Sequence, residues 1–315
     1  MTIATSTDWT VTRDNIITYA YRKIGVVSED GTPSTAQYTH GAMLLNGIVK
    51  SWNASLGMPL WSLKTAYLLP VSGTSQASIG TGGGHVTASY TTTTLSAASA
   101  TSDTTIDVST APGSINGYYI GVELDNGDMH WTTVNGNPPS TEVTLTTGVS
   151  SAASSGNRVY YYQTKLARPL RVTKAYSKEV AGDSDTPIEI ITSHEYMELS
   201  IKSTESYPIK LYYDPQIDPG IVNFWPRFSN GDRIVVMQVV RPLGDFDATG
   251  DNPDFPQEWN LPLILELACL LAPDYGLEPV AQGLLRKQAD KWIDMVSQND
   301  YEEGTIQFTP NLSMR

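Results

Sequence analysis

The chain has 315 residues, 40% of them hydrophobic and 17% charged, with a formal net charge of −13 and a single cysteine, Cys269. That length can bury one large core or two modest ones, and the charge argues against wrapping or reading nucleic acid, which needs Lys and Arg clustered at phosphates. One cysteine excludes a disulfide within these residues, and no apolar run reaches the roughly 18 residues of a membrane span. No basic, then apolar, then small-residue leader opens the sequence, so secretion by a cleaved signal is not expected.

The first predicted helix opens at Thr12, an N-cap, with Asp14 favourable in the first turn. Ile16, Ile17, Ala20 and Ile24 form its apolar stripe, and Gly25 is its C′ terminator. A second, longer helix takes Thr32 as cap and Pro33 as first residue, buries Leu44, Leu45, Ile48 and Trp52, and stops at Gly57 and Pro59. Gly41 would let a neighbour approach it closely. A strand follows over Trp61–Leu69. Val71–Thr87 is rich in Ser, Thr and Gly, and its glycine run at 80–84 lacks the Lys-Ser/Thr of a phosphate-cradling loop, so a flexible turn is expected there.

Tyr90–Tyr162 differs in composition, being dominated by Thr, Ser, Ala and Gly, with Arg158 its one basic residue. Short β-suited runs recur at Thr104–Val108, Tyr118–Leu124, Met129–Val134, Glu142–Leu145 and Arg158–Tyr162, with Asp125-Asn126-Gly127-Asp128 as a hairpin turn. This reads as a small, surface-displayed β-barrel or sandwich, with flexible Ser/Ala/Thr joints at its borders. After Lys165, strands are expected at Pro169–Ser177 and Pro187–Ile191, then a short helix from Ser193. A meander over Ile209–Tyr213, Ile221–Trp225 and Arg233–Val240 completes this part.

Gln257–Val296 organises the whole. Its first half, LPLILELACLLA, is apolar nearly all round, as in a helix walled in by neighbours, with Glu266 its one charge. Pro273 is expected to end that helix at Ala272, and Pro279 to open the next. There Ala281, Leu285, Gln288, Trp292 and Val296 recur at helical spacing as the buried stripe. Two N-terminal and two C-terminal helices, each with an apolar face, would close on each other as a bundle. The fold class expected is therefore α+β: a helical bundle built from the N- and C-terminal helix pairs with a small β meander, plus an inserted all-β barrel or sandwich domain. The corresponding division is 1–88 and 164–298 for the core, 89–163 for the insert, and 299–315 for an extended C-terminal arm.

Chemistry-bearing motifs are sparse. Asp245-Phe246-Asp247-Ala248-Thr249-Gly250-Asp251 starts like a calcium loop, but Pro256 stands where the bidentate Glu belongs, so an acidic loop leading to a helix N-terminus is the better reading. The histidines at 40, 85, 130 and 194 show no metal-ligand spacing. Cys269 lies in the apolar helix without a nearby cation to lower its pKa. Asn53-Ala54-Ser55 matches a glycosylation pattern by chance. No G-x-S-x-G elbow is present, and a glycosidase pair of carboxylates cannot be placed by spacing alone. No catalytic residue, metal ligand or cofactor is assigned.

Four stretches in order carry a resemblance: TRDNIITYAYRKIGV, LLNGIVKSWNASLGMPLW, PIKLYYDPQIDPGIVNFWP and PQEWNLPLILELACLLAPDYGLEP. Together they resemble the head-to-tail adaptors of short-tailed bacteriophages, also called tail accessory factors or packaged-DNA stabilisation proteins. The resemblance implies a virion structural protein, assembled in the host cytoplasm and not an enzyme. It implies a ring, usually of twelve copies, docked beneath the portal, extending the channel for DNA ejection towards the tail nozzle. It also implies a helical core with a small β region and a C-terminal arm that clasps the portal. On this sequence the arm residues would be Tyr301, Ile306, Gln307, Phe308, Pro310, Leu312 and Arg315. Partners would be the portal, the nozzle, tail fibres and further copies of the chain. Double-stranded DNA would pass an acidic lumen without specific binding, and no membrane is involved. The segment Tyr90–Tyr162 departs from the compact family pattern. Two other readings stand beside this one: the segment suggests a fibre- or receptor-docking module, and the resemblance, through an activity proposed for some relatives, implies a tail-associated peptidoglycan hydrolase for which no residue pattern is found.

Overall fold

A computed structural model of the chain describes residues 9–298 apart from 56–59, 71–73, 111, 181, 183, 218 and 229–232. Five helices are described: α1 Arg13–Lys23, α2 Thr35–Ser55, α3 Ser193–Glu198, α4 Asn260–Asp274 and α5 Pro279–Ser297. The first nine strands are β1 Leu63–Leu68, β2 Gln76–Ile79, β3 Val86–Thr87, β4 Thr91–Thr94, β5 Thr105–Asp107, β6 Tyr119–Glu123, β7 Met129–Thr133, β8 Glu142–Thr144 and β9 Arg158–Tyr162. The rest are β10 Arg171–Glu179, β11 Asp185–Ile190, β12 Lys210–Asp214, β13 Gly220–Trp225 and β14 Arg233–Val240. The chain divides into two compact units, Met1–Ser62 with Leu243–Arg315, and Leu63–Pro242.

In the helical unit, α4 packs against α1, α2 and α5. Leu263, Leu267, Ala268, Leu271 and Ala272 of α4 are fully inaccessible, as are Ile16, Ile17, Ala20 and Tyr21 of α1 and Leu45 and Val49 of α2. Burying each Leu or Ile stabilises the unit by about 1.5–3 kcal/mol, which is why α4 holds it together. Thr12 caps α1, its side chain accepting from the Asn15 N–H. Gly25, at φ +75°, closes α1 while the Gly25 and Val26 N–H groups donate to the carbonyls of Arg22 and Tyr21. Gly41 lies against α1, where an added Cβ would meet Ile17 Cγ2 at 2.7 Å.

Two helix ends differ from expectation. Helix α2 starts at Thr35, and its cap is Ser34 rather than Thr32. The Gln37 N–H donates to Ser34 Oγ at 3.4 Å, and the Ser34 N–H donates to Gln37 Oε1 at 2.7 Å. That reciprocal pair satisfies two orphan groups and outweighs the preference of Pro33 for a first helical position. Helix α4 runs through Pro273 to Asp274 and ends at Gly276, φ +70°, with the Gly276 and Leu277 N–H groups donating to Pro273 and Ala272 carbonyls. The expected stops at Gly57 and Pro59 lie outside the described residues.

The second unit overturns the expected fold class. Strands outnumber α-helices fourteen to five among the described residues, and an eight-stranded sheet in the order β2-β13-β12-β11-β10-β14-β1-β3 stands in place of a small meander. Pairing is antiparallel except between β11 and β12. The sheet is nearly closed and barrel-like. The edge strands β2 and β3 are adjacent in sequence, and the Gly84 N–H donates to the Ser78 carbonyl at 2.8 Å. The glycine run at 80–84 is a turn, as expected, and links the two edges, whereas the edge strand β2 just before it was not expected. Leu68, Ile79, Leu211, Val222, Phe224, Met237 and Val239 form the core of this sheet.

Strands β4-β9-β6-β7 form a four-stranded sheet and β5-β8 a two-stranded one, sharing a core that includes Ile106, Ile120, Val122, Val143 and Val159. The segment was expected to be a displayed insert on flexible joints. Instead it is packed into the same unit as the large sheet. Leu69, Ile234 and Val236 of the large sheet and its margin share one buried cluster with Tyr160 and Tyr162 of β9. The Ser/Ala stretches are paired as well: Ser99 and Ala153 are both buried and exchange backbone hydrogen bonds at 2.8 and 3.0 Å. The physical reason is β14, whose residues are buried on both faces, a need one solvated sheet cannot meet.

Candidate functional site

The arm residues named from the sequence (Tyr301, Ile306, Gln307, Phe308, Pro310, Leu312 and Arg315) lie outside the described residues. The described chain reaches Gln298, the C-cap of α5, and here the helical unit carries an apolar groove of about 460 Å³. Trp9, Pro256, Glu258, Trp259, Leu261, Trp292, Met295 and Val296 line it. A smaller pocket of about 270 Å³ adjoins it through Trp9 and is lined also by Val11, Asn252, Phe255, Gln257 and Asn260.

Each wall of the groove is positioned by identifiable contacts. Trp9 is held by its backbone, its N–H donating to Gln257 Oε1 at 2.6 Å and its carbonyl accepting from Asn260 Nδ2 at 3.1 Å, which leaves the indole half-exposed. Trp259 is buried in an aromatic cluster, with ring centroids 5.4 Å from Trp52 and 5.9 Å from Trp61. Trp292, Met295 and Val296 come from the last turns of α5. The sequence placed Trp292 on that helix's buried stripe. The structure buries Leu285 and Ala289, and leaves Trp292 at 37% and Met295 at 45% exposure. Val280, Leu284 and Leu270 add further exposed apolar side chains on the α4–α5 hairpin.

The D-x-D loop ties the ends of this unit together. Asp245 pairs with Lys50 at 2.6 Å, the Phe246 N–H donates to Asn46 Oδ1 at 2.9 Å, and the Arg13 N–H donates to the Asp251 carbonyl at 2.8 Å. Phe246 itself is buried. Cys269 is half-buried against the same core, and burial, then Glu266, push its thiol up to about 11, so it keeps its proton at neutral pH. Glu266 receives a two-pronged hydrogen bond from Arg286 at 2.8 and 2.9 Å.

In the β unit the densest chemical cluster surrounds His85, which sequence reasoning passed over. His85 precedes β3, and its ring stacks on Trp131 of β7 with centroids 3.9 Å apart and planes at 12°. Its Nδ1 is 2.8 Å from the Tyr162 hydroxyl of β9. Lys165 Nζ lies 4.9 Å from the Tyr119 ring, which stacks on Tyr162. Burial first, then Lys165, pull the His85 pKa down to about 4, and burial pushes the Tyr162 hydroxyl up. His85 is therefore a neutral hydrogen-bonding element of the seam between the large sheet and β6, β7 and β9. The other histidines are scattered: His40 meets Asp274 at 3.0 Å, His130 the Thr147 carbonyl at 3.4 Å and His194 Glu198 at 3.4 Å. Among the described residues no three His, Cys, Asp or Glu gather into a metal-type cluster, and no helix is long and apolar enough to cross a membrane.

In comparison with known proteins, no family model and no curated protein matches the chain.

Proposed function

We propose that the chain is a structural subunit of a bacteriophage head-to-tail joint, an adaptor that assembles into a ring beneath the portal and extends the DNA channel towards the tail. One observation supports this reading best. The α4–α5 hairpin and its groove expose Leu270, Val280, Leu284, Trp292 and Met295 on one unit of a strongly acidic chain. Exposed apolar side chains gathered on one hairpin suit a surface that partners cover in an assembly. The ordered resemblance of four stretches to the adaptor family supports the identity of that assembly. The C-terminal arm is the portal-binding element in this reading, and repetition around a ring turns weak single contacts into a lasting joint. The acidity of the chain suits a channel wall that repels the phosphate backbone.

Electron microscopy of the protein mixed with its portal tests the proposal. A ring coaxial with the portal is expected; copies found singly and away from the vertex where the genome leaves would sink it.

A further inference from the structure

We propose that in the free chain the groove beside Trp9 and Trp292 seats the chain's own C-terminal segment, residues 306–312. This goes beyond the assembly proposed above and concerns the unassembled protein. Three observations carry it.

The first is the match of patterns. Ile306, Phe308, Pro310 and Leu312 occur at every second position, with Gln307, Thr309 and Asn311 between them. Spaced at two, they fall on one side whenever such a segment is extended, which is the form an elongated apolar groove accepts. The groove supplies Trp9, Trp259, Leu261, Trp292, Met295 and Val296, with Glu258 its one charged lining residue among those described.

The second is where the described chain ends. Met295 and Val296 line the groove, and Gln298 follows two residues later. The seven intervening residues, 299–305, include Gly304 and reach about 23 Å at ~3.3 Å each. Running back beside two turns of α5 takes about 11 Å, so the tether suffices.

The third is charge. Lys287, Lys291 and Met295 recur at four-residue spacing on one side of α5, and both lysines are exposed. Asp300, Glu302 and Glu303 are the acids of the tether. The two lysines are opposite in charge to the tether's acids, with Asp294, seven residues after Lys287, on the same side of the helix.

A second copy could offer the same segment, but a short tether gives an effective concentration in the mM range, above the μM range of a free chain in solution. The same chain is the occupant. The segment read as the portal-binding arm is thus held against its own subunit until a partner displaces it.

Disulfide trapping in the full chain tests this. In a Cys269→Ser background, Met295→Cys with Phe308→Cys should form an intramolecular disulfide at a rate independent of protein concentration. It should form at least about tenfold faster than in a control pairing Met43→Cys, on α2 and lining neither pocket, with Phe308→Cys. Trp292→Asp in the trapping variant should slow it towards the control rate. Disulfides between chains, or a rate no greater than the control, would overturn the proposal. Portal attachment is a separate measurement, so failure of the seat and failure of the adaptor reading are distinguishable.

Discussion

His85 shows what a single side chain can contribute at the seam of the β unit. Its ring lies flat on Trp131 and its Nδ1 meets the Tyr162 hydroxyl, so the neutral form is the one that fits. The folded-state pKa, lowered to about 4, lies below the ordinary value of 6.5, so the unfolded chain binds the proton first as pH falls. The stabilisation is complete above pH 6.5 and is lost progressively between 6.5 and 4, by roughly 3 kcal/mol at most. His85→Gln should flatten that acid limb in melting experiments run across the window; an unchanged limb would assign the acid sensitivity to other groups. Trp131 has its own constraint, because a Cβ on Gly121 would sit 2.7 Å from its ring. Gly121→Val should displace Trp131 from His85 and destabilise the β unit by about 1–3 kcal/mol, read as a lowered melting temperature. In the helical unit Leu267 is fully buried, and Leu267→Asp would bury an unpaired charge. A loss of about 4 kcal/mol or more is expected, enough to unfold that unit. Of these residues Leu267 was legible in the sequence, because its whole neighbourhood is apolar. His85 was not, since its partners Trp131, Tyr162 and Lys165 follow it by 46, 77 and 80 residues.

At the scale of elements, the helices and strands follow local chemistry closely. Thr12, Asp14 and Gly25 start and stop α1 as capping rules require. The strands from β5 onward lie within about two residues of the alternating runs that predict them. Departures occur where two local signals compete. Ser34 with Gln37 displaces the Thr32-Pro33 start, and Gly276 rather than Pro273 sets the end of α4. β2 was missed because Gln76-Ala77-Ser78-Ile79 has weak β propensity and takes its order from the neighbouring strand β13. The same logic governs α5. Its periodicity identifies a helix, but only packing decides that Leu285 and Ala289 face inward while Trp292 and Met295 line a groove. If the arm is the portal-binding element, deleting Tyr301–Arg315 should abolish attachment to portal in a co-sedimentation assay while leaving the melting transition in place. Attachment at the normal level would refute that role.

For the whole molecule, the sequence by itself determined the charge balance, the identity of most elements and the apolar character of the α4 helix. Each of those is set by residues within a turn or two of one another. What only the tertiary structure decided is how the strands are shared out. Gln76 on β2 and Asn223 on β13 are joined by a side-chain hydrogen bond across 147 residues, and the faces of β14 go to two different cores. Pairing of that kind is selected by complementary burial between distant segments, for which local propensity carries no address. A chain that reads as a helical bundle with a small β meander and a separate β insert therefore gathers all its strands into one unit around a large sheet, because its many short Thr- and Val-rich runs have one another to bury against.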